Sequence, residues 1–187
     1  MAGSASLQQI CGYREQHDNL ITEFTLQFLI IKCIGVSAME CTVRWTGLSG
    51  MTFLAETGSG HVVAMDGAPD GGGRNLAPRP MEMVLLGTGG CTAYDVVLIL
   101  RKSAQNITDC AVKLTAERAE TDPKVFTRIH FHFIVTGRSL KQNVVERAIK
   151  LSHDKYCSAS IMLEKTATIT HSYEIVDDSP LLPAESA

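Results

Sequence analysis

Residues 80–102 read PMEMVLLGTGGCTAYDVVLILRK, and the reading of this stretch decides the fold. Pro80 has its φ preset for the first helical position and loses nothing there by lacking an N–H, so residues 81–102 read as one helix. Apolar residues occupy nearly every side of it, the mark of a helix inside a protein. A bilayer span competes on length alone, but Gly87, Gly89, Gly90 and Asp95 interrupt it. Each of three glycines costs about 1 kcal/mol relative to alanine in a helix interior. Close approach of another helix or backbone offsets such a cost, so a tight contact is expected around Cys91, and a second copy of the chain is one partner able to make it.

On either side, strand and helix signals alternate. Residues 41–45, 51–57 and 61–65 have strand composition, and Thr57-Gly58-Ser59-Gly60 is a turn, which together make a β-meander. Residues 69–80 form a loop whose Gly71-Gly72-Gly73 lacks the Gly-Lys-Ser/Thr ending of a phosphate cradle. Beyond the helix, strands are expected over 110–119 and 127–137, with a turn at Asp122-Pro123. Ile129, Phe131, Phe133 and Val135 share one face of the second strand, and His130 and His132 share the other. Without a recognisable third ligand the histidines read as a half-exposed polar face, not a metal site. Ser139 and Gln142 have capping-box spacing; they open an amphipathic helix with Leu140, Val144, Ala148 and Leu151 on one face, ending near His153 and Asp154. A helix over 158–165 and a strand over 167–176 complete the order β-β-β-α-β-β-α-α-β, an α+β fold around a long buried central helix.

With 187 residues, 45% of them hydrophobic, and a net charge of −3, the chain can bury a core without disulfides or metal. No Lys/Arg stripe is present to neutralise phosphates, which argues against nucleic-acid binding; Gly87-Thr88-Gly89-Gly90 matches the Gly-x-x-Gly of an RNA clamp only by chance, for no cation flanks it. Cysteines 11, 33, 41, 91, 110 and 157 show no Cys-x-x-Cys spacing, so they are expected as reduced thiols in a cytoplasmic protein, without zinc or another cofactor and away from any membrane. Residues 1–38 differ in character. Their apolar run 24–36 contains Lys32 and is too short to span a bilayer, and Glu15, Asp18 and Glu23 are wrong for a signal n-region. They read as an extension of uncertain role, with Met39 suited as a start, followed by one domain over 39–177 and a tail over 178–187.

Cys91 and Cys157 lie in unlike surroundings, and together they read as a redox pair. Cys157 sits at a helix start beside Lys155 and His153, where the helix dipole and positive charge favour a thiolate. Cys91 shares its helix face with Asp95, which opposes a negative charge, and with Thr88, whose hydroxyl is placed to donate to the sulfur. On electrostatics alone Cys157 is the better nucleophile.

Residues 80–92 (PMEMVLLGTGGCT), with proline eleven positions before cysteine, and residues 157–160 (CSAS) resemble the OsmC/Ohr family of thiol-dependent hydroperoxide reductases, its YhfA-like branch most closely. The resemblance covers residues 39–177. It implies an intertwined homodimer with its sites at the interface, a small apolar hydroperoxide as substrate and a dithiol as reductant. It makes Cys91 the attacking thiol and Cys157 the one that resolves the sulfenic acid to a disulfide. Two family positions differ. The glutamate after the proline is Met81 here, with Glu82 one residue on, about 100° around the helix and facing away from Cys91. The arginine of a Gly-Arg-x-Gly turn is replaced by Leu48 in Gly47-Leu48-Ser49-Gly50, leaving Arg44, Arg74 or Arg79 as substitutes, of which Arg79 stands nearest the helix entrance. Weak peroxidase activity follows, or, as the alternative, a non-catalytic dimer that binds a small apolar ligand or senses oxidants through the same thiols.

Overall fold

A computed structural model describes residues 38–47 and 50–178. The expectations for residues 1–37, for Leu48 and for the tail from 179 lie outside the described residues. The chain falls into two compact units, divided between Ala64 and Met65, each described by itself.

The first unit is the expected meander. Strands β1 (Cys41–Trp45), β2 (Phe53–Thr57) and β3 (Val62–Met65, which ends across the division) form one sheet in the order β1-β2-β3. β1 and β2 pair antiparallel, with Cys41 opposite Thr57 and Trp45 opposite Phe53. The turn between β2 and β3 is closed by Thr57 N–H to His61 O and Gly60 N–H to Thr57 O, with Gly60 at φ +83°, where a side chain would be strained.

The second unit opens with a loop built around one buried carboxylate. Asp66 is 1% exposed and accepts from the backbone N–H groups of Gly67, Arg74 and Leu76 at 2.8, 3.1 and 3.0 Å. A polar group buried this completely stays only where it is bonded, and here the bonds fold the glycine-rich stretch into a fixed shape. The loop delivers the chain to α1 (Pro80–Lys102), with Pro80 in its first turn as expected.

A second sheet follows, in the order β4-β5-β6: β4 (Asn106–Arg118), β5 (Phe126–Arg138) and β6 (Thr168–Asp177). β4 and β5 pair antiparallel as a hairpin; β5 and β6 pair parallel, with Phe131 opposite His171. A parallel pair needs a crossover. It is supplied by α2 (Gln142–Leu151), a π-helical turn (Ser152–Tyr156) and α3 (Ser158–Leu163). The alternation on β5 holds: Ile129, Phe131, Phe133 and Val135 are buried, with Val96, Leu100, Val145, Ala148 and Ile149 packed among them as the core. His130 and His132 form the polar face. His130 bonds Thr170 and Ser172 across to β6, and His132 bonds Ser172 at 2.9 Å.

Two local expectations are corrected. The capping box at Ser139 does not form: α2 starts at Gln142 with Lys141 as a cap that makes no side-chain bond, and Ser139 takes φ +50° in the turn from β5. The turn geometry overrides the local capping signal. The buried face of α2 is centred on Val145, Ala148 and Ile149: of the expected set Ala148 is buried, while Leu140 and Val144 pack only at its margin.

α1 is covered on one stripe. Thr88, Gly89, Thr92, Val96 and Leu100 are buried, and Gly89 is the glycine that close packing requires, since a Cβ there would lie 2.7 Å from Leu114 Cδ1. Among the described residues Gly87 and Gly90 have nothing within 4 Å of that position and belong, with Tyr94 (70% exposed) and Leu98, to the opposite, open stripe. By length and hydropathy α1 is long and apolar enough to cross a membrane, but its buried stripe packs on β4, α2 and α3.

Candidate functional site

α1 carries Cys91 and, one turn on, Asp95 on the same face. Opposite them, α2 does not stop at Leu151 but widens into the π turn, closed by Cys157 N–H to Ser152 O at 2.8 Å. Such five-residue turns recur at functional sites. This one hands the chain to Cys157 in extended conformation (φ −73°, ψ 93°) as the N-cap of α3. The result is that the sulfurs of Cys91 and Cys157 and a carboxylate oxygen of Asp95 all lie within 4.8 Å of one another. Both cysteines are free thiols, Cys91 half-buried and Cys157 with no exposed surface.

Hydroxyls hold the cluster in place. Ser152 Oγ donates to Asp95 Oδ2 at 3.1 Å and shares a 2.8 Å bond with Thr92 Oγ1, which must therefore be the donor in that pair. On the far side, Ser160 donates to the Cys157 sulfur from its hydroxyl at 3.1 Å and from its backbone N–H at 3.4 Å. The Cys157 thiol is nonetheless pushed above its ordinary value, chiefly by burial and further by the neighbouring Cys91, with the two Ser160 bonds pulling the other way.

Three electrostatic expectations are thereby corrected. The Lys155 ammonium lies 5.4 Å from the centre of the Tyr156 ring, and His153 faces Glu164 at 4.0 Å and the His171 ring, so the flanking cations turn to other partners. Burial outweighs the helix start at Cys157, because desolvation of a thiolate costs more than the end of a six-residue helix returns. Thr88 donates to Val84 O at 2.7 Å, the usual back-bond of a helical threonine, and is not a donor to Cys91.

Glu82 and Arg79 stand at the other end of α1. Glu82 Oε2 accepts from the Arg79 backbone N–H at 2.8 Å and so caps the helix. At 1.5 Å rise per residue, Glu82 is about 13 Å and Arg79 about 18 Å along the axis from Cys91. The single chain does not bring them to the sulfurs. They line instead a cleft of about 410 Å³ with Asp66, Met81, Leu85, Arg118 and Phe126. Sequence reasoning missed Ser152 and Thr92. The i, i+4 spacing of Cys91 and Asp95 was a visible signal, whereas nothing near Ser152 in the sequence marks it.

An α+β chain that sets two free thiols face to face between a long helix and the start of a short one is a dithiol protein. The chain belongs to the OsmC family: the model of OsmC-like protein matches residues 71–172. Protein YhfA of Escherichia coli (strain K12) is 55% identical over 138 residues, covering 74% of this chain and 98% of the relative. A structure described as a hypothetical protein from Aquifex aeolicus VF5 superposes with a TM-score of 0.67 at 26% identity, covering 77% of this chain and 100% of that one. An organic hydroperoxide resistance protein OsmC from Legionella pneumophila shares the fold at 18% identity and a TM-score of 0.57, over 75% of this chain and 98% of that one.

Proposed function

We propose that the protein reduces small apolar organic hydroperoxides through a Cys91/Cys157 cycle. The observation that carries this is the approach of two free thiols of unequal exposure to within 4.8 Å. The Cys91 thiolate attacks the O–O bond; its sulfur is oxidised to sulfenic acid and the alkoxide leaves, taking a proton to become the alcohol. Cys157 then attacks that sulfur, a disulfide forms and water departs. The sulfurs must close by less than roughly 3 Å to reach the 2.05 Å of the bond, and a dithiol returns both to thiols while becoming a disulfide itself. The name of the Legionella neighbour supports the substrate class.

The working unit is residues 39–177, acting as a homodimer in the reducing cytoplasm, with neither nucleic acid nor membrane as a partner. The open apolar stripe of α1 supports the dimer. Glu82 and Arg79 act on a thiol only if a second chain brings its helix entrance there, and turnover is weak because Met81 and Leu48 stand at the family's glutamate and arginine positions. To test the cycle, the reduced protein is given one equivalent of cumene hydroperoxide and its peptides are mapped. A Cys91–Cys157 cross-link and consumption of peroxide with dithiothreitol are expected; separately overoxidised cysteines, or no consumption, refute it. A cross-link without turnover would favour the oxidant-sensing alternative.

A further inference from the structure

We propose that Cys91, Cys157 and Asp95 form a three-ligand site for a thiophilic divalent ion, zinc, which withdraws the thiols from peroxide. This rests on the reading of Cys91 and Cys157 as the working dithiol. The three ligand atoms already lie within 4.8 Å of one another. Tetrahedral zinc with sulfur at 2.3 Å and carboxylate oxygen at about 2.1 Å sets them about 3.5–3.8 Å apart, so no edge of the cluster need close by more than about 1.3 Å. The ligands come from rigid elements: Cys91 and Asp95 from adjacent turns of α1, Cys157 from the cap of α3. Outer support is also built in, for Ser152 holds the Asp95 carboxylate and is held in turn by Thr92, while Ser160 orients the Cys157 sulfur.

Charge supplies the second argument. Once both thiols give up their protons, two thiolates and a carboxylate make three negative charges in a cluster with one member wholly buried, and among the described residues Asp95 makes no ion pair. A divalent cation balances most of that charge. Binding releases both thiol protons, so that zinc plus two thiols gives the zinc dithiolate and two protons. Half-buried Cys91 and Asp95 form the entrance, and the fourth position falls to water.

The test uses the full chain, reduced and free of metal, titrated with zinc sulfate against a chromophoric chelator. One zinc per chain is expected, with proton release and with protection of half-buried Cys91, but not of exposed Cys41, from alkylation. Cys91→Ser should lose the tight site, and Asp95→Asn should weaken it at least about tenfold. No binding, or equal binding by Cys91→Ser, overturns the proposal, and the protection pattern decides the matter on the unmodified protein should a variant fail to fold. The disulfide map separates the two readings: a cross-link with no zinc uptake sinks the metal site alone, and zinc uptake with no cross-link sinks the peroxide cycle alone.

Discussion

Cys157 has no surface in contact with solvent and two hydrogen bonds into its sulfur; Cys91, a few ångströms away on α1, is half-buried and shares its face with a carboxylate. The difference divides their work. On the proposed cycle, peroxide reaches the thiol that solvent reaches, so Cys91 is oxidised first and Cys157 is kept for attack on the sulfur beside it. The sequence suggested the reverse electrostatic order, because charge neighbours are visible in a sequence and desolvation is not.

The largest effect that would break this division is in the cysteines themselves. Cys91→Ser is expected to bring hydroperoxide consumption to background. Cys157→Ser should leave one round of Cys91 oxidation, seen as a trapped sulfenic acid, and no turnover. If Cys157→Ser brings consumption to background and Cys91→Ser traps a sulfenic acid at 157, the roles are exchanged.

Ser160→Ala sharpens the comparison on the buried side. It removes the 3.1 Å hydroxyl donor and leaves the weaker backbone bond. A hydrogen bond to a charged group is worth about 1.5–3 kcal/mol, so the rate of disulfide closure, followed by stopped flow after the first oxidation, should fall about tenfold or more with the first step unchanged.

On the α1 side, the glycines differ in the same way as the sulfurs. Gly89→Ala pushes a methyl against Leu114 and should lower the stability of each chain by roughly 1 kcal/mol in denaturant titration, the overpacking exceeding the gain in helix propensity. Gly90→Ala meets nothing within 4 Å among the described residues. It should leave the fold intact and weaken self-association in sedimentation; a monomer that simply gains about 1 kcal/mol would show the open stripe to have no partner.

The smallest expected effect concerns pH. His171, on the surface end of a small pocket with Ser160, Thr92 and His153, has its pKa lowered, first by partial burial and then by His153, with Lys150 and His130 adding and Asp154 opposing. A base depressed in the fold stabilises fully above its unfolded value of 6.5 and less as pH falls below it, since the unfolded chain takes the proton first. Stability is thus expected to decline below about pH 6.5, and His171→Asn to flatten that decline in thermal melts at graded pH.

What the sequence determined by itself is whatever repeats along the chain. Alternating Ile129, Phe131, Phe133 and Val135 announced the buried face of β5, Pro80 and the apolar run announced α1, and the two cysteine segments announced the family. Periodicity and spacing are local, and a local signal is legible wherever no distant contact overrules it. Ser139 shows the overruling: its capping box was in the sequence, but the turn after β5 took the residue for another conformation. The pairing of Cys91 with Cys157 was already expected from the resemblance, and the structure brings the two together; only the tertiary structure decided that Ser152 and Thr92 hold Asp95 beside them and that Lys155 points elsewhere. These depend on the parallel pairing of β5 with β6, which obliges α2, the π turn and α3 to cross back over the sheet against α1. The closeness of the sulfurs and the burial that raises one of them are set by that crossover, and no window of neighbouring residues contains it.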